Sequence, residues 1–254
     1  MFDILYIDNT LPIILLFLPI ISIAQNHPIF SEYGEGSSFN KWIEIYNPTQ
    51  QDIYLDDYRY NFCWNGCDDL QWEFSIPFDT GYILNPGETY LLAHYDADIT
   101  LVNSANQTTN ILSNGNDVCG LYNINSNAII DIIGVFDSTN MNGGWDIDGV
   151  LNATEDHTMI RKTDVCNGNM GDWSLSDGST MTSQWTVNNI DNFNNINTHN
   201  SNCHNTNHIK NLSNPNRDLI EIIDIIGRKT SPETKSILIY IYEDGTVEKR
   251  IKLN

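Results

Sequence analysis

The run Trp42-Ile43-Glu44-Ile45-Tyr46, closed by Asn47-Pro48-Thr49, constrains this chain more than any other part of it. Its side chains alternate: Trp42, Glu44 and Tyr46 fall on one face and Ile43 and Ile45 on the other, the period of a β-strand with one packed face. Proline has no amide hydrogen to give a ladder, so Asn47-Pro48 ends the strand in a turn. The residues from Ile29 read as a shorter strand, joined to the first by a polar, glycine-bearing loop.

Strands with the same punctuation recur along the chain. Ile53–Leu55 and Tyr58–Phe62 are strand material, and Cys63 to Cys67 closes a tight loop after them. Between Tyr82 and Ala93, Asn85-Pro86-Gly87 parts two β-rich runs, with proline pre-setting one turn position and glycine supplying positive φ. Val118–Tyr122 and Ile129–Phe136, parted by residues 123–127, read as a hairpin. The fold class is therefore all-β.

The formal charge of −21 is uneven. Residues 26–216 hold 24 acids against 5 bases, whereas residues 217–254 hold 7 of each. An acidic domain repels phosphate backbones, so the charge argues against a nucleic-acid partner. The five cysteines, Cys63, Cys67, Cys119, Cys166 and Cys203, lack the second close pair that a zinc site needs, and they read as disulfide candidates in an exported protein. Cys63–Cys67 is the plausible local bridge, and the odd number leaves at least one thiol free or paired between chains.

The order of residues in "F-x-SEY-x-EG-SS-x-NK-x-IEIYNPT", from Phe30 to Thr49, closely resembles the opening of the lamin tail domain, an immunoglobulin-like β-sandwich also found in secreted bacterial proteins. The turn "L-x-PGE-x-Y-x-L" at Leu84–Leu92 and the run "NDVCGLY…IIDIIGVF" resemble later strands of that family, as do Trp145, Gly149, Ala153-Thr154, Thr158, Arg161-Lys162, Trp173 and Trp185. The resemblance covers residues 29–203 and is weaker between Asp56 and Ile83. It implies a sandwich over residues 26–203 with a binding or structural role. No coiled-coil rod of the nuclear lamins accompanies it. In bacteria the family often accompanies hydrolases, which supplies two alternatives: an accessory protein for extracellular nuclease or hydrolase activity, and, more remotely, a metal-dependent hydrolase.

Residues 1–25 read as a signal peptide, because the apolar run Leu11–Ala24 is short, is interrupted by Pro12 and Pro19, and ends in small residues. Asp3 and Asp8 stand where that reading expects a basic residue. Residues 188–216 contain 13 asparagines among 29 positions and few apolar side chains, a composition that does not order itself well. Their first half is expected to pack as the last strand of the domain, and 204–216 to form a linker. Leu219–Arg228, Ile237–Tyr242 and "EDGTVEKRIKLN" read as three strands with an Asp-Gly turn. The arrangement "IIDIIGRKT…ILIYIYEDGTVEKRIKL" closely resembles the end of the C-terminal sorting domain of the Bacteroidetes type IX secretion system, in a truncated form over residues 217–254. That resemblance implies the type IX machinery as a partner and the cell surface or medium as the destination.

Catalytic motifs are missing: no G-x-S-x-G, H-E-x-x-H, P-loop or dinucleotide fingerprint occurs, and no catalytic residue, enzyme activity or cofactor is assigned. Calcium is the one metal that the acidic loops suit, with Asp146, Asp148, Glu155 and Asp156 as the best candidates, although no EF-hand loop is complete. His94, beside Asp96 and Asp98, reads as a partly exposed strand-edge residue. Trp64, Trp72 and Trp145 lie in loop-like surroundings that would allow a carbohydrate platform, but the favoured reading is that they shield loop backbone while Trp42, Trp173 and Trp185 pack in or on the core. The ligand is thus an unidentified extracellular protein or polysaccharide.

Overall fold

A computed structural model describes residues 27–67, 69–137, 142–203, 219–232, 234, 237–243 and 247–251. The proposed signal peptide and the 204–216 linker lie outside them. The chain divides into two units, Met1–His204 and Asn205–Asn254.

The first unit is the expected all-β, immunoglobulin-like sandwich. Its large sheet has the order β12-β11-β1-β2-β7-β8, from Trp185–Asn189, His157–Arg161, Ile29–Glu35, Lys41–Tyr46, Thr89–His94 and Gln107–Thr109. Facing it is a four-stranded sheet of order β10-β9-β4-β5, from Ala128–Ile133, Val118–Asn123, Tyr58–Cys63 and Phe74–Pro77. A two-stranded pair, β3 (Ile53–Tyr54) and β6 (Ile83–Leu84), closes one side. Phe30, Tyr33, Ile43 and Ile45 of the large sheet meet Tyr60, Phe62, Leu121 and Ile132 of the small one in a single core. The expected hairpins form: β1 pairs with β2 and β9 with β10, all antiparallel, and Gly87 has the positive φ that its turn requires. Strand β5 has no counterpart in the sequence reading, and neither have the two elements that follow β7. A short helix α1 (Ile99–Ser104), capped by the Asp98 side chain on Thr100 N, leads into β8, which runs parallel to β7.

The two sheets are tied by a buried ion pair. Arg161 of β11 contacts Asp131 of β10, and both side chains are fully buried. Asp131 also accepts from Phe30 N (3.0 Å) and Asn169 N (3.1 Å), while Arg161 donates to Phe30 O and Gln184 Oε1 (2.9 Å each) and stacks over Trp185.

The strand Trp42–Tyr46 differs from its expected form, because both of its faces are buried. Trp42, Glu44 and Tyr46 do not meet solvent: α1 and the segment after β12 lie over them. Trp42 joins Leu91, Ala93 and Leu101 in a second core, against which Phe193 and Ile196 pack. Gly34, opposite Trp42 in the register, makes room for its ring; a Cβ there would lie 2.3 Å from the indole carbons. The asparagine-rich segment is therefore ordered as far as Cys203, and its few apolar residues suffice because a prepared apolar face receives them.

The second unit contains an antiparallel sheet β13-β14-β15 from Leu219–Asp224, Ile237–Tyr242 and Val247–Ile251. Leu238, Tyr240 and Tyr242 cluster with Ile222. The Asp244-Gly245 turn lies outside the described residues.

Removing one partner of a buried ion pair leaves the other charge uncompensated. Arg161→Ala is expected to destabilise the sandwich by about 3–5 kcal/mol, measured by urea denaturation.

Candidate binding surface

The loop end of the large sheet carries a stack of three rings. Phe39 of the β1–β2 loop lies 4.8 Å from His94 at 17°, and His94 lies 5.1 Å from Tyr95 at 20°. The outer two are half exposed, at 49% and 53%, while His94 between them is buried at 6%. His94 is thus not the partly exposed residue expected. Its Nδ1 lies 3.1 Å from Asp96 N and its Nε2 3.2 Å from Asn110 O, so both ring nitrogens are engaged and the ring is fixed. The loop that holds Phe39 is itself braced, since Asp191 accepts from Ser37 N, Ser37 Oγ and Asn40 Nδ2. Two aromatic faces are therefore presented on a rigid support, with Asp96 close by. No spacing rule joins residue 39 to residue 94; the β2–β7 pairing, Trp42 opposite Ala93, brings them together.

The three loop tryptophans separate. Trp145 is buried beneath the loops, and Trp72 packs 4.5 Å from Phe136. Trp64 is exposed at 47% and ends a ladder of rings, Phe62–Phe74–Trp64, at 4.6 Å spacings. Trp42, Trp173 and Trp185 are core residues, as expected.

The four proposed calcium ligands point to different partners. Asp146 Oδ1 accepts from Asn152 N (2.9 Å), Asp148 Oδ1 lies 3.6 Å from Lys162 Nζ, Glu155 is exposed, and Asp156 uses its backbone to reach Glu35 Oε2 (2.7 Å). Among the described residues no group of three or more His, Cys, Asp or Glu side chains is placed to hold a metal ion. Four shallow cavities, of about 440, 620, 590 and 350 Å³, are each lined by a single carboxylate (Asp164, Asp164, Asp191 and Glu88) and by no histidine.

Other acids are buried where the sequence pattern suggests a polar face. Glu32 and Glu44 stand directly opposite each other across β1 and β2, with 1% and 0% of their surface exposed. Burial, with the neighbouring Glu44 charge second, pushes Glu32 up to about 8, and burial pushes Glu44 to about 7. Asp117 is pushed to about 6 by burial and accepts from Asn114 N and Asn65 N, anchoring two loops.

Cys63–Cys67 forms the expected bridge, and Cys166–Cys203 forms a second one that clamps the end of the asparagine-rich segment. Cys119 is the free thiol, buried on β9 and pushed up to about 12 by burial. Two such bridges are consistent with an oxidising compartment.

Residues 22–137 match the Lamin Tail Domain family model. The lamin-tail match spans β1 to β10, which supplies the small sheet and the β1-β2-β7-β8 part of the large one. Among solved structures the chain is similar to a DUF4876 family protein from Bacteroides thetaiotaomicron VPI-5482, at 13% identity and a TM-score of 0.37, over 63% of this chain and 68% of that one. No curated protein matches.

Titrating the native, unreduced protein with an aromatic disulfide reagent should release no thiolate, because the single free sulfur is buried. Adding denaturant should expose one reactive thiol per chain; a native-state signal would contradict this assignment.

Proposed function

We propose that this protein is a non-catalytic binding module of lamin-tail type that works outside the cell, and that its ligand is an extracellular polymer held at the Phe39–His94–Tyr95 end of the sandwich. The observation that carries this reading is the ring stack itself. Two half-exposed aromatic faces are held by a buried, hydrogen-bonded histidine, so little conformational freedom is lost when a ligand lies against them. A polysaccharide fits better than a nucleic acid, because sugar C–H faces stack on rings without needing positive charge, and 24 acids against 5 bases over residues 26–216 repel phosphate. Export rests on the signal-like residues 1–25, the two disulfides and the likeness of residues 217–254 to a type IX sorting domain, whose strands β13–β15 are compatible with a small separate unit.

Two experiments test the reading. In a panel of insoluble polysaccharides (cellulose, chitin and xylan), retention on at least one is expected, with affinity falling about tenfold in Phe39→Ala/Tyr95→Ala. Failure to bind any member, or equal binding by the variant, counts against it. In a host with a working type IX system, the full chain should reach the surface or medium without residues 217–254, and a chain lacking them from the start should stay in the periplasm. Equal periplasmic accumulation of both, with the tail intact, would refute the sorting role.

A further inference from the structure

The outer face of the large sheet is covered by a strap, residues 190–203, that is bound in three places. At its start, Asp191 takes the Ser37 and Asn40 hydrogen bonds and Asn192 N donates to Thr158 Oγ1 (3.2 Å). In its middle, Phe193 meets Trp42 edge-on at 5.3 Å, and Asn197 donates from its backbone N to Glu44 Oε2 (2.6 Å) and from Nδ2 to Ser104 O (2.9 Å). At its end, Asn202 N donates to Thr163 O and Cys203 is bridged to Cys166.

Under the middle of this strap sits the Glu32–Glu44 pair, and the two carboxyls are not equivalent. Both Glu44 oxygens accept hydrogen bonds, Oε1 from Ser31 Oγ (2.6 Å) and Oε2 from Asn197 N. This is the environment of an anion. Glu32 Oε1 accepts from Trp42 Nε1 (2.9 Å), but its Oε2 is buried with no hydrogen-bond partner. A charge on that oxygen would be unsolvated and would oppose the Glu44 charge across one strand pair. Among the described residues no cation balances the site. The ionisable groups of the covering layer are Asp98 at the start of α1, Asp191 and His199 on the strap; His199 packs on Tyr46, and burial, then the Arg161 charge, push it down to about 4, so it is neutral. Arg161 itself lies on the opposite, inner face, bound to Asp131.

We propose that residues 190–203 form a proton-controlled latch, closed over the large sheet while the Glu32–Glu44 pair keeps one proton and opened when the pair loses that proton to solvent. Glu44 supplies the anchoring anion and Glu32 the proton. Loss of the proton places two negative charges beneath one strap, and lifting the strap lets water solvate them. Cys166–Cys203 tethers the far end, so opening is a local excursion of residues 190–202, and it uncovers the apolar patch of Trp42, Leu91 and Ala93.

The direction with pH follows from proton linkage. An acid that holds its proton more tightly in the closed form stabilises that form fully at low pH and progressively less as pH rises through its closed-form pKa. Asp117, pushed up to about 6, and His199, which is neutral when closed and returns to the ordinary value of about 6.5 when open, have completed most of their titration by pH 7. From pH 7 to 8 the change therefore belongs mainly to Glu32 and Glu44.

The test is hydrogen exchange by mass spectrometry on the full, disulfide-bonded chain at pH 6.0, 7.0 and 8.0, with times scaled for the intrinsic exchange rate. In the wild type, protection of peptides within residues 190–202 should fall about tenfold per pH unit while β4 and β9 keep theirs. Glu32→Gln, which keeps an acceptor for Trp42 and cannot ionise, should abolish that fall. Glu44→Gln, which cannot accept from both Ser31 and Asn197, should lower strap protection at every pH. A pH-independent strap in the wild type overturns the latch, and that arm needs no variant to fold. Retention of the fall in Glu32→Gln overturns the assignment to this pair. Restored protection at pH 8 on adding millimolar calcium would show a cation site in place of a proton site and would overturn it as well.

Discussion

The sandwich depends on the way one stretch of β1 is held where its regular pairing fails. The register between β1 and β2 shifts between Phe30 and Glu32, and the β1–β11 ladder begins only at Glu32. Phe30 would be left with a buried N–H and C=O on the seam between the sheets. Asp131 accepts from the first and Arg161 donates to the second, and the two side chains then satisfy each other. A buried ion pair adds little stability by itself against an apolar replacement. Here it replaces missing ladder bonds, and it ties β10 of the small sheet to β1 and β11 of the large one. Asn169 extends the same network to the loop after β11, which leads to Cys166 and so to the strap.

Much of the fold was legible in the sequence, and the reasons are local. Asn85-Pro86-Gly87, the 123–127 turn and Asn47-Pro48 each dictate chain reversal by backbone chemistry alone, so the strands they bound were placed correctly. Cys63 and Cys67 are too close in sequence to miss. What was not legible needs long-range partners. Glu44 alternates with isoleucines and looks like a solvent-facing residue; only the layer above it makes it buried. That layer was itself concealed by thirteen asparagines, because composition averages hide two apolar residues, Phe193 and Ile196, at the right height over Trp42 and Leu91.

The candidate site shows the same division. Asp146, Asp148, Glu155 and Asp156 are close in sequence, yet positive φ at Asp148 and Asp156 turns the backbone so that their neighbours diverge. Closeness along a turn-rich loop is a poor guide to convergence, since each tight turn reverses the direction in which side chains leave. Phe39 and the adjacent pair His94-Tyr95 have the opposite character: far apart in sequence, and brought together by the register of adjacent strands. A pairing register was the missing information, and a single sequence does not contain it explicitly.

The two disulfides act on very different lengths of chain. Closing the short loop from Cys63 to Cys67, a separation of 4, restricts the unfolded state by about 2 kcal/mol in the loop-entropy picture, whereas Cys166–Cys203, a separation of 37, restricts it by about 4 kcal/mol. The second bridge also encloses β12 and the whole strap. Its two ends are thereby fixed, one by the ladder of β12 against β11 and the other by sulfur, so any opening between them costs only local contacts and little chain entropy. Those local contacts are two aromatic pairs, Trp42–Phe193 and Tyr46–His199, a few hydrogen bonds, and an acid pair beneath them. The strap held by these few contacts thus lies directly over two buried carboxylates, Glu32 and Glu44, and tethering at both ends confines any opening to the strap itself.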